Sequence, residues 1–262
     1  MIVILSPAKK LDVVLAQTIA QDFGCHSEKP YFFIQALEIM KELKRYDRQK
    51  LAQLMGLSDK LASLNVERNQ EFHSRWQREG TAPAVFVFQG DTYRGLDSQT
   101  FSAEDLDYAQ DHLRIMSGLY GVLSPLDGIQ PYRLEMGCGL SVPGYKNLVD
   151  YWQQPLGDYV KALQQKTGAP VIQCASQEYF APLSRDPEID VIHVHFKEVY
   201  PDGQKKTIGL LAKKARGRFA RFVVQQKIEN REDLKSFDSD GYKYQVKDSD
   251  FPLTMVFARA KT

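Results

Sequence analysis

The stretch SGLYGVLSPLDGIQPYRLEMG (residues 117–137) contains four glycines and two prolines but no His or Cys. The residues before it predict a helix, because Ser102 followed by Asp105 is typical of a capped helix start. Apolar residues at helical spacing, from Leu106 to Met116, predict that this helix has one buried face. We therefore expect a helix that ends where the quoted stretch begins.

The quoted stretch itself is typical of a turn followed by a second helix start. Gly118 and Gly121 bracket a tight turn, and Ser124-Pro125 followed by Asp127 is typical of a helix N-terminus. The backbone N–H groups at such a helix start can bind a phosphate oxygen. The order of helix, Gly-x-x-Gly turn and helix start predicts a helix-hairpin-helix-like element. A tight connection between packed helices is the alternative.

Strand and helix patterns follow one another along the rest of the chain without a strict rhythm. Short apolar or alternating runs predict strands over residues 2–5, 84–88, 170–176, 189–199, 241–248 and 252–260. Helical spacing predicts helices within residues 31–55, 57–73, 148–165 and 208–228, and Ser58 is a plausible N-cap. No internal repeat or linker divides the chain. We therefore expect one mixed α/β (α+β) domain over residues 1–262 with a mixed central sheet.

The composition is that of an ordinary globular protein, with 43% hydrophobic and 26% charged residues and a formal net charge of +1. The three cysteines are widely spaced and form no C-x-x-C pair, which argues against a disulfide framework and a zinc site. The apolar run at the N-terminus is too short for a signal peptide, and no run reaches the roughly 20 residues of a membrane span. We expect a cytoplasmic protein that binds no membrane, metal or cofactor.

A basic run lies in the helix predicted over residues 208–228. Between residues 203 and 228 there are eight basic residues and no acid. Since the apolar residues recur at helical spacing, these basic residues are expected on the outer face: Lys213, Lys214, Arg216, Arg218 and Arg221. A phosphate backbone would relieve the repulsion among these charges. The alternative is a solvated face paired with acids from elsewhere in the chain, such as Glu104, Asp105 or Asp238.

Polar residues in turns or at strand ends are candidates for a ligand cleft, since such positions often carry function. The sequence offers five of them: Asp91, Arg133, Glu135, Ser176 and Glu178. For Asp91 a structural turn is an equal explanation, and Arg133 with Glu135 could form an ion pair instead. His193 and His195 share a predicted strand face, but no third ligand stands at metal-site spacing. The sequence contains no P-loop, dinucleotide fingerprint, H-E-x-x-H or G-x-S-x-G motif.

Taken together, these segments resemble the YaaA peroxide stress family. The resemblance rests on motifs that occur in chain order: SPAKKLD (6–12), LSDKLASLN (57–65), FQGDTYRGLD (88–97), LRIMSGLYGVLSPLDGIQPYRLEMG (113–137), ASQEYF (175–180) and AKKARGRFARF (212–222). It implies a cytoplasmic protein that is induced by hydrogen peroxide, limits free iron and so protects DNA. It also implies a mixed α/β fold with a positively charged cleft, a helix-hairpin-helix and DNA binding.

The resemblance assigns DNA contacts to particular residues of this chain. The hairpin falls on Gly118, Leu119, Tyr120 and Gly121, the basic helix on Lys213, Lys214, Arg216 and Arg218, and the early Pro-Ala-Lys motif on Lys9 and Lys10. We expect a non-catalytic protein that binds duplex or distorted DNA without reading its sequence. The alternative is an enzyme for a small anionic or nucleotide-like substrate in the same cleft. Direct iron sequestration is a third hypothesis, for which the sequence offers no ligand cluster.

Overall fold

The computed structural model describes residues 1–77 and 79–261. The α-helices in this part of the chain are α1 (Val13–Phe23), α2 (Phe33–Leu43), α3 (Arg48–Met55), α4 (Asp59–Glu71), α5 (Ala84–Val87), α6 (Asp91–Leu96), α7 (Ala103–His112), α8 (Leu148–Thr167), α9 (Gln177–Phe180) and α10 (Gly209–Gln225). The strands are β1 (Ile2–Leu5), β2 (Lys10–Leu11), β3 (Ala82–Pro83), β4 (Phe88–Gln89), β5 (Leu113–Ser117), β6 (Gly121–Leu123), β7 (Gly128–Ile129), β8 (Val171–Gln173), β9 (Val191–Val199), β10 (Lys205–Lys206), β11 (Lys243–Tyr244) and β12 (Thr254–Ala260).

A mixed sheet forms the centre of the molecule, with strand order β11-β12-β9-β8-β1-β5-β6 and β10 added beside β9. Its five inner strands, β12, β9, β8, β1 and β5, are parallel to one another. In chain order these five strands have the doubly wound arrangement 2-1-3-4-5. The chain leaves β1 toward β5 on one side and later returns to β8 on the other side. Such a switch point leaves a crevice at the carboxyl ends of the two strands, here β1 and β8.

The strands β1, β5 and β8 are buried along their whole length, whereas β9 alternates buried and half-buried residues. All four residues of β1 (IVIL) are buried, as expected for a parallel strand. Helix α10 packs closely on α6, where a Cβ on Gly217 would lie 1.8 Å from the Thr92 carbonyl oxygen. The crossing therefore depends on the missing side chain of Gly217. The crossing of α10 and α6 holds α6, which follows β4, against the end of the sheet.

Several local predictions are confirmed. Ser58 caps α4 by accepting a hydrogen bond from the Leu61 N–H. Ser102 and Asp105 form the capping box at the start of α7. The strands predicted over residues 2–5 and 189–199 are present as β1 and β9. The mixed α/β class is also confirmed.

The predicted helix-hairpin-helix is wrong in this structure. The first helix ends at His112, and residues 113–117 form β5, which pairs with β1 and with β6. Gly118 to Gly121 therefore close a β-hairpin, and Leu119 and Tyr120 at its turn are fully buried. Pairing in the central sheet outweighs the helical spacing of these residues. The second helix is also absent, because residues 124–127 form a turn in which the Asp127 carboxylate accepts from the Ser124 N–H.

Two strand predictions are also corrected. Residues 84–87 form the single helical turn α5, and of the predicted strand only Phe88 pairs with β2, in a strand that continues to Gln89. All of residues 84–88 are buried, so burial alone could not separate a strand from a helical turn. In the segment predicted over 241–248, only Lys243 and Tyr244 form a strand.

Candidate functional site

Hydrogen bonds join the carboxyl ends of β1 and β8. The Ser176 N–H, which follows β8, donates to Ser6 Oγ at 2.8 Å, and Ser6 directly follows β1. From α6, the Tyr93 hydroxyl donates to the Ser6 carbonyl oxygen at 3.1 Å. These bonds hold two serine hydroxyls and a phenol at the switch point. This is the edge of the sheet at which doubly wound folds bind their ligands.

An extended segment, residues 131–138, crosses the neighbouring strand end, and we call it the strap. Its Tyr132 hydroxyl lies 2.7 Å from Ser117 Oγ at the end of β5. A Cβ on Gly118 would lie 2.6 Å from the Leu134 carbonyl oxygen, so the strap contacts this turn backbone to backbone. At its other end the Gly137 N–H donates to Glu178 Oε1 at 3.0 Å. The strap therefore connects the end of β5 to the segment that follows β8.

Opposite charges meet where the strap passes the end of β1. Glu135 Oε1 lies 3.0 Å from Lys9 Nζ and 3.2 Å from an Arg133 guanidinium nitrogen. The Arg133 side chain is only 16% exposed, and its Nε has no hydrogen-bond partner among the described residues. A buried guanidinium donor without a partner is costly for the fold. Arg133 therefore has spare capacity to bind an anion or an acceptor oxygen.

Buried tyrosines surround these charges. Burial raises the pKa of Tyr93, Tyr132 and Tyr179 above the usual value for a phenol. The three hydroxyls consequently stay protonated at physiological pH and keep a hydrogen to donate. Together with Ser6 and Ser176 they make this edge of the sheet rich in neutral donors.

The structure brings together four of the five residues predicted for a cleft, and Lys9 with them. Arg133, Glu135, Ser176 and Glu178 all take part in the contacts described above. Asp91 begins α6 nearby, but its carboxylate is paired with Arg94. The hydroxyls of Ser6, Tyr93 and Tyr132 were missed. Ser6 had a signal in the sequence, since it is a polar residue directly after a buried strand.

The basic face of α10 is divided between internal pairs and free side chains. Arg218 pairs with Asp240, and Lys227 pairs with Glu104 at 3.1 Å. Arg221 donates to the Leu96 and Asp97 carbonyl oxygens. Arg218, Arg221 and Lys227 are therefore engaged within the chain, as the alternative to phosphate binding predicted. The acid that pairs with Arg218 is Asp240 and not the predicted Asp238. Arg216 points inward, and its burial lowers its pKa.

Two lysines of α10 remain available. Lys213 is exposed and Lys214 half-buried, and neither has an ion-pair partner within residues 1–77 and 79–261. Lys214 lines a groove of about 380 Å³ between α1, α6 and α10, together with Gln89, Arg94, Arg218 and one acid, Asp97. Lys10 stands opposite Gln89 in the β2–β4 pair. We use the name basic groove for the surface formed by Lys10, Arg94, Lys213, Lys214 and Arg218.

His193 and His195 lie on one face of β9, and burial lowers the pKa of both imidazoles. Within the described residues, no three His, Cys, Asp or Glu side chains are grouped so that they could hold a metal ion. Among the described helices, none combines the length and the apolar character needed to cross a membrane.

Comparison with known proteins identifies the family. Residues 1–248 match the family model described as peroxide stress protein YaaA. A UPF0246 protein of Magnetococcus marinus is 44% identical over 94% of this chain and 95% of its own length. UPF0246 proteins of Clostridium beijerinckii and Polynucleobacter asymbioticus are 40% and 41% identical over 99% and 100% of this chain and 98% and 99% of their own lengths. The chain therefore belongs to the YaaA peroxide stress protein family.

Proposed function

We propose that this member of the peroxide stress family binds a small anionic substrate at the switch point between β1 and β8. One observation carries the proposal: Lys9 from the end of β1 and Arg133 from the strap converge on the same Glu135 oxygen. Residues that are distant in sequence are thereby brought to the edge where doubly wound sheets bind ligands. This favours the enzyme hypothesis over the hairpin hypothesis, whose turn is buried.

The cationic groups at the site suit an anion of low charge. Lys9 and Arg133 contribute two positive charges, and the carboxylates of Glu135 and Glu178 contribute two negative charges. The four side chains are therefore close to neutral in sum, and Arg133 is the partly buried cation that would bind the anion. A guanidinium can hold a carboxylate or phosphate through two parallel hydrogen bonds. In a partly buried site such bonds are stronger than at an exposed surface.

Glu178, Ser6 and Ser176 supply the carboxylate and hydroxyl groups that an enzyme for a small anionic substrate would use. Glu178 keeps one oxygen free of the bond with Gly137, since only Oε1 accepts that N–H. A carboxylate held by a backbone N–H is a suitable proton acceptor for a bound substrate. Ser6 and Ser176 place hydroxyl groups beside it at the switch point. The proposal is therefore a site that binds an anion and can exchange a proton with it.

Titration with ribose 5-phosphate by isothermal calorimetry tests this function. Binding to the wild-type protein should weaken about 10- to 150-fold in Arg133→Ala, because a charge-assisted hydrogen bond contributes about 1.5–3 kcal/mol. Arg45→Ala is the matched control, since the Arg45 side chain is 63% exposed and its only ion pair within residues 1–77 and 79–261 is with Glu42. Binding that is absent from the wild type, or equal in both variants, would contradict the proposal.

DNA binding that limits iron-dependent oxidative damage is the second candidate function, and the basic groove favours it. Its support is the pair Lys213 and Lys214, which have no ion-pair partner among the described residues, next to Arg94 and Arg218. Such a surface binds phosphate backbones by releasing counterions, without reading base sequence.

A duplex-binding assay at several salt concentrations tests this second function. Replacing both Lys213 and Lys214 by Glu should weaken binding and reduce the slope of log affinity against log salt by about 2, at about 0.9 per phosphate contact. Lys227→Glu, just beyond the end of α10, is the control, because Lys227 is already paired with Glu104. An unchanged slope in the double variant would exclude the basic groove as the DNA contact.

A further inference from the structure

A cavity of about 490 Å³ lies between α2, α8 and the turn that precedes α8. Its volume falls within the range of small-molecule sites, about 300–1,000 Å³. The described residues that line it are different from those of the switch point and of the basic groove. We call it the aromatic cavity, because the rings of Tyr145 and Tyr151 stand in its wall.

A β-turn over residues 142–145 (VPGY) presents the first ring. The Tyr145 N–H donates to the Val142 carbonyl oxygen at 3.0 Å, and Gly144 has φ = +88°. Proline followed by a glycine with positive φ is typical of a type II turn, which these two residues stabilise. The turn therefore holds Tyr145 in the cavity wall, although 45% of this residue is exposed.

Helix α8 supplies the second ring. Tyr151 and Pro155 are one turn apart on the same face of α8, and both line the cavity. The ring centroids of Tyr145 and Tyr151 are 4.9 Å apart, and the ring planes meet at 77°. The Tyr151 hydroxyl donates to Glu38 Oε2 at 2.6 Å, and the fully buried Trp152 packs against the Tyr151 ring at 5.1 Å. The two rings thus form a corner that is fixed before any ligand binds.

The charged groups of the aromatic cavity favour a cation. Two carboxylates and one ammonium line it, those of Glu38, Glu42 and Lys41. Glu42 is already paired with Arg45. The Glu38 carboxylate has no ion-pair partner within residues 1–77 and 79–261, and its Oε1 takes no part in the bond with Tyr151. Glu38 therefore provides a negative charge that a bound cation could neutralise.

We propose that the aromatic cavity binds a small organic cation that carries a trimethylammonium group. The negative face of an aromatic ring attracts such a cation, and several rings or a ring and a carboxylate together form the usual cage for it. Here Tyr145 and Tyr151 form two sides of the cage, and Glu38 lies beside them. This binding activity is separate from the proposed function, because it uses none of the residues at the switch point.

The apolar part of the wall selects among cations. Val142, Pro143 and Pro155 line the cavity beside the two rings. A primary ammonium is strongly hydrated and would lose water at these side chains without gaining an acceptor for each of its hydrogens. The methyl groups of a trimethylammonium instead bury apolar surface there. The cavity should therefore prefer the methylated cation to the unmethylated one.

Calorimetric titration with three compounds at low salt tests the proposal. Choline carries the trimethylammonium group, 3,3-dimethyl-1-butanol has the same shape with carbon in place of the charged nitrogen, and ethanolamine lacks the methyl groups. We expect choline to bind about 5- to 30-fold more tightly than the neutral compound, since a desolvated cation–π interaction is worth about 1–2 kcal/mol. Ethanolamine should bind more weakly than choline.

Two variants assign the binding to the cavity. Tyr145→Leu should weaken choline about 2- to 5-fold and leave 3,3-dimethyl-1-butanol unchanged, whereas Tyr145→Phe, which keeps the ring, should retain choline binding. Glu38→Gln, which keeps the acceptor for Tyr151, should also weaken choline alone. Tyr31→Leu is the matched control, because Tyr31 is 72% exposed and is not part of the cavity wall.

The inference is overturned if choline binds no more tightly than the neutral compound, or if ethanolamine binds more tightly than choline. It is equally overturned if Tyr145→Leu and Glu38→Gln both keep the full preference for choline. None of these results involves Arg133, so the titration with ribose 5-phosphate still decides the proposed function by itself.

Discussion

Replacing Gly121 by Ala distinguishes a structural hairpin from a phosphate-binding turn. Gly121 has φ = +67°, a conformation that costs a residue with a side chain about 1–2 kcal/mol. Its new Cβ would lie 2.6–2.9 Å from three ring carbons of Trp152. This ring cannot move away easily, because it is fully buried and its Nε1 donates to the Gly118 carbonyl oxygen at 2.9 Å.

The magnitude follows from these two effects. Overpacking a buried site costs about 1–3 kcal/mol, so the sum with the backbone strain is about 2–5 kcal/mol. For a chain of this size, that corresponds to a decrease in Tm of about 4–20 °C. Urea denaturation and calorimetry measure both quantities. Gly139→Ala is the control, since a Cβ there meets no atom within 4 Å.

The opposite result would refute this description of the turn. If Gly121→Ala unfolded like the wild type but lost affinity for duplex DNA, the turn would contact phosphate as the sequence suggested. Unchanged stability together with unchanged DNA binding would show that Trp152 does not pack on this glycine.

Three further predictions follow from individual contacts. Burial raises the pKa of Asp127 from 3.8 to about 7. Between about pH 4 and pH 7 the folded state therefore keeps a proton that the unfolded state loses. Because of this group, the free energy of unfolding should fall as the pH rises through this range. Asp127→Asn should remove this decline in the free energy of unfolding, which amounts to at most about 4 kcal/mol. Urea denaturation at several pH values measures it, and an equal decline in the wild type and in Asp127→Asn would contradict the assignment. Gly217→Ala should unfold the α6–α10 crossing or lower Tm by more than the Gly139→Ala control, because its Cβ would lie 1.8 Å from the Thr92 carbonyl oxygen; a normal Tm would show that the helices can separate. Burial raises the pKa of the Cys174 thiol to about 12, so hydrogen peroxide should leave this thiol unmodified in the folded protein. Mass spectrometry that finds Cys174 oxidised while the protein is folded at neutral pH would contradict its burial.

The sequence predicted local structure where local rules determine it. The capping box of Ser102 and Asp105, the N-cap Ser58 and the alternation in β9 each depend on residues a few positions apart. The helix predicted through residue 117 failed at Leu113, because no Gly or Pro interrupts the pattern between α7 and β5. Pairing with β1, more than 100 residues away in the chain, makes residues 113–115 a strand, and pairing with β6 continues it to residue 117.

The candidate site depends on the same non-local pairing. Arg133, Ser176 and Glu178 could be singled out as polar residues near strand ends, and Lys9 by resemblance. Their meeting at one edge follows from the strand order β8-β1-β5, which spacing along the chain does not determine.

Soaking a crystal with tungstate, an anomalously scattering analogue of phosphate, would locate the anion site. We expect an anomalous peak at the switch point between β1 and β8, within hydrogen-bonding distance of the Arg133 guanidinium and beside Lys9. A peak confined to the basic groove at Lys213 and Lys214, with none at Arg133, would contradict it.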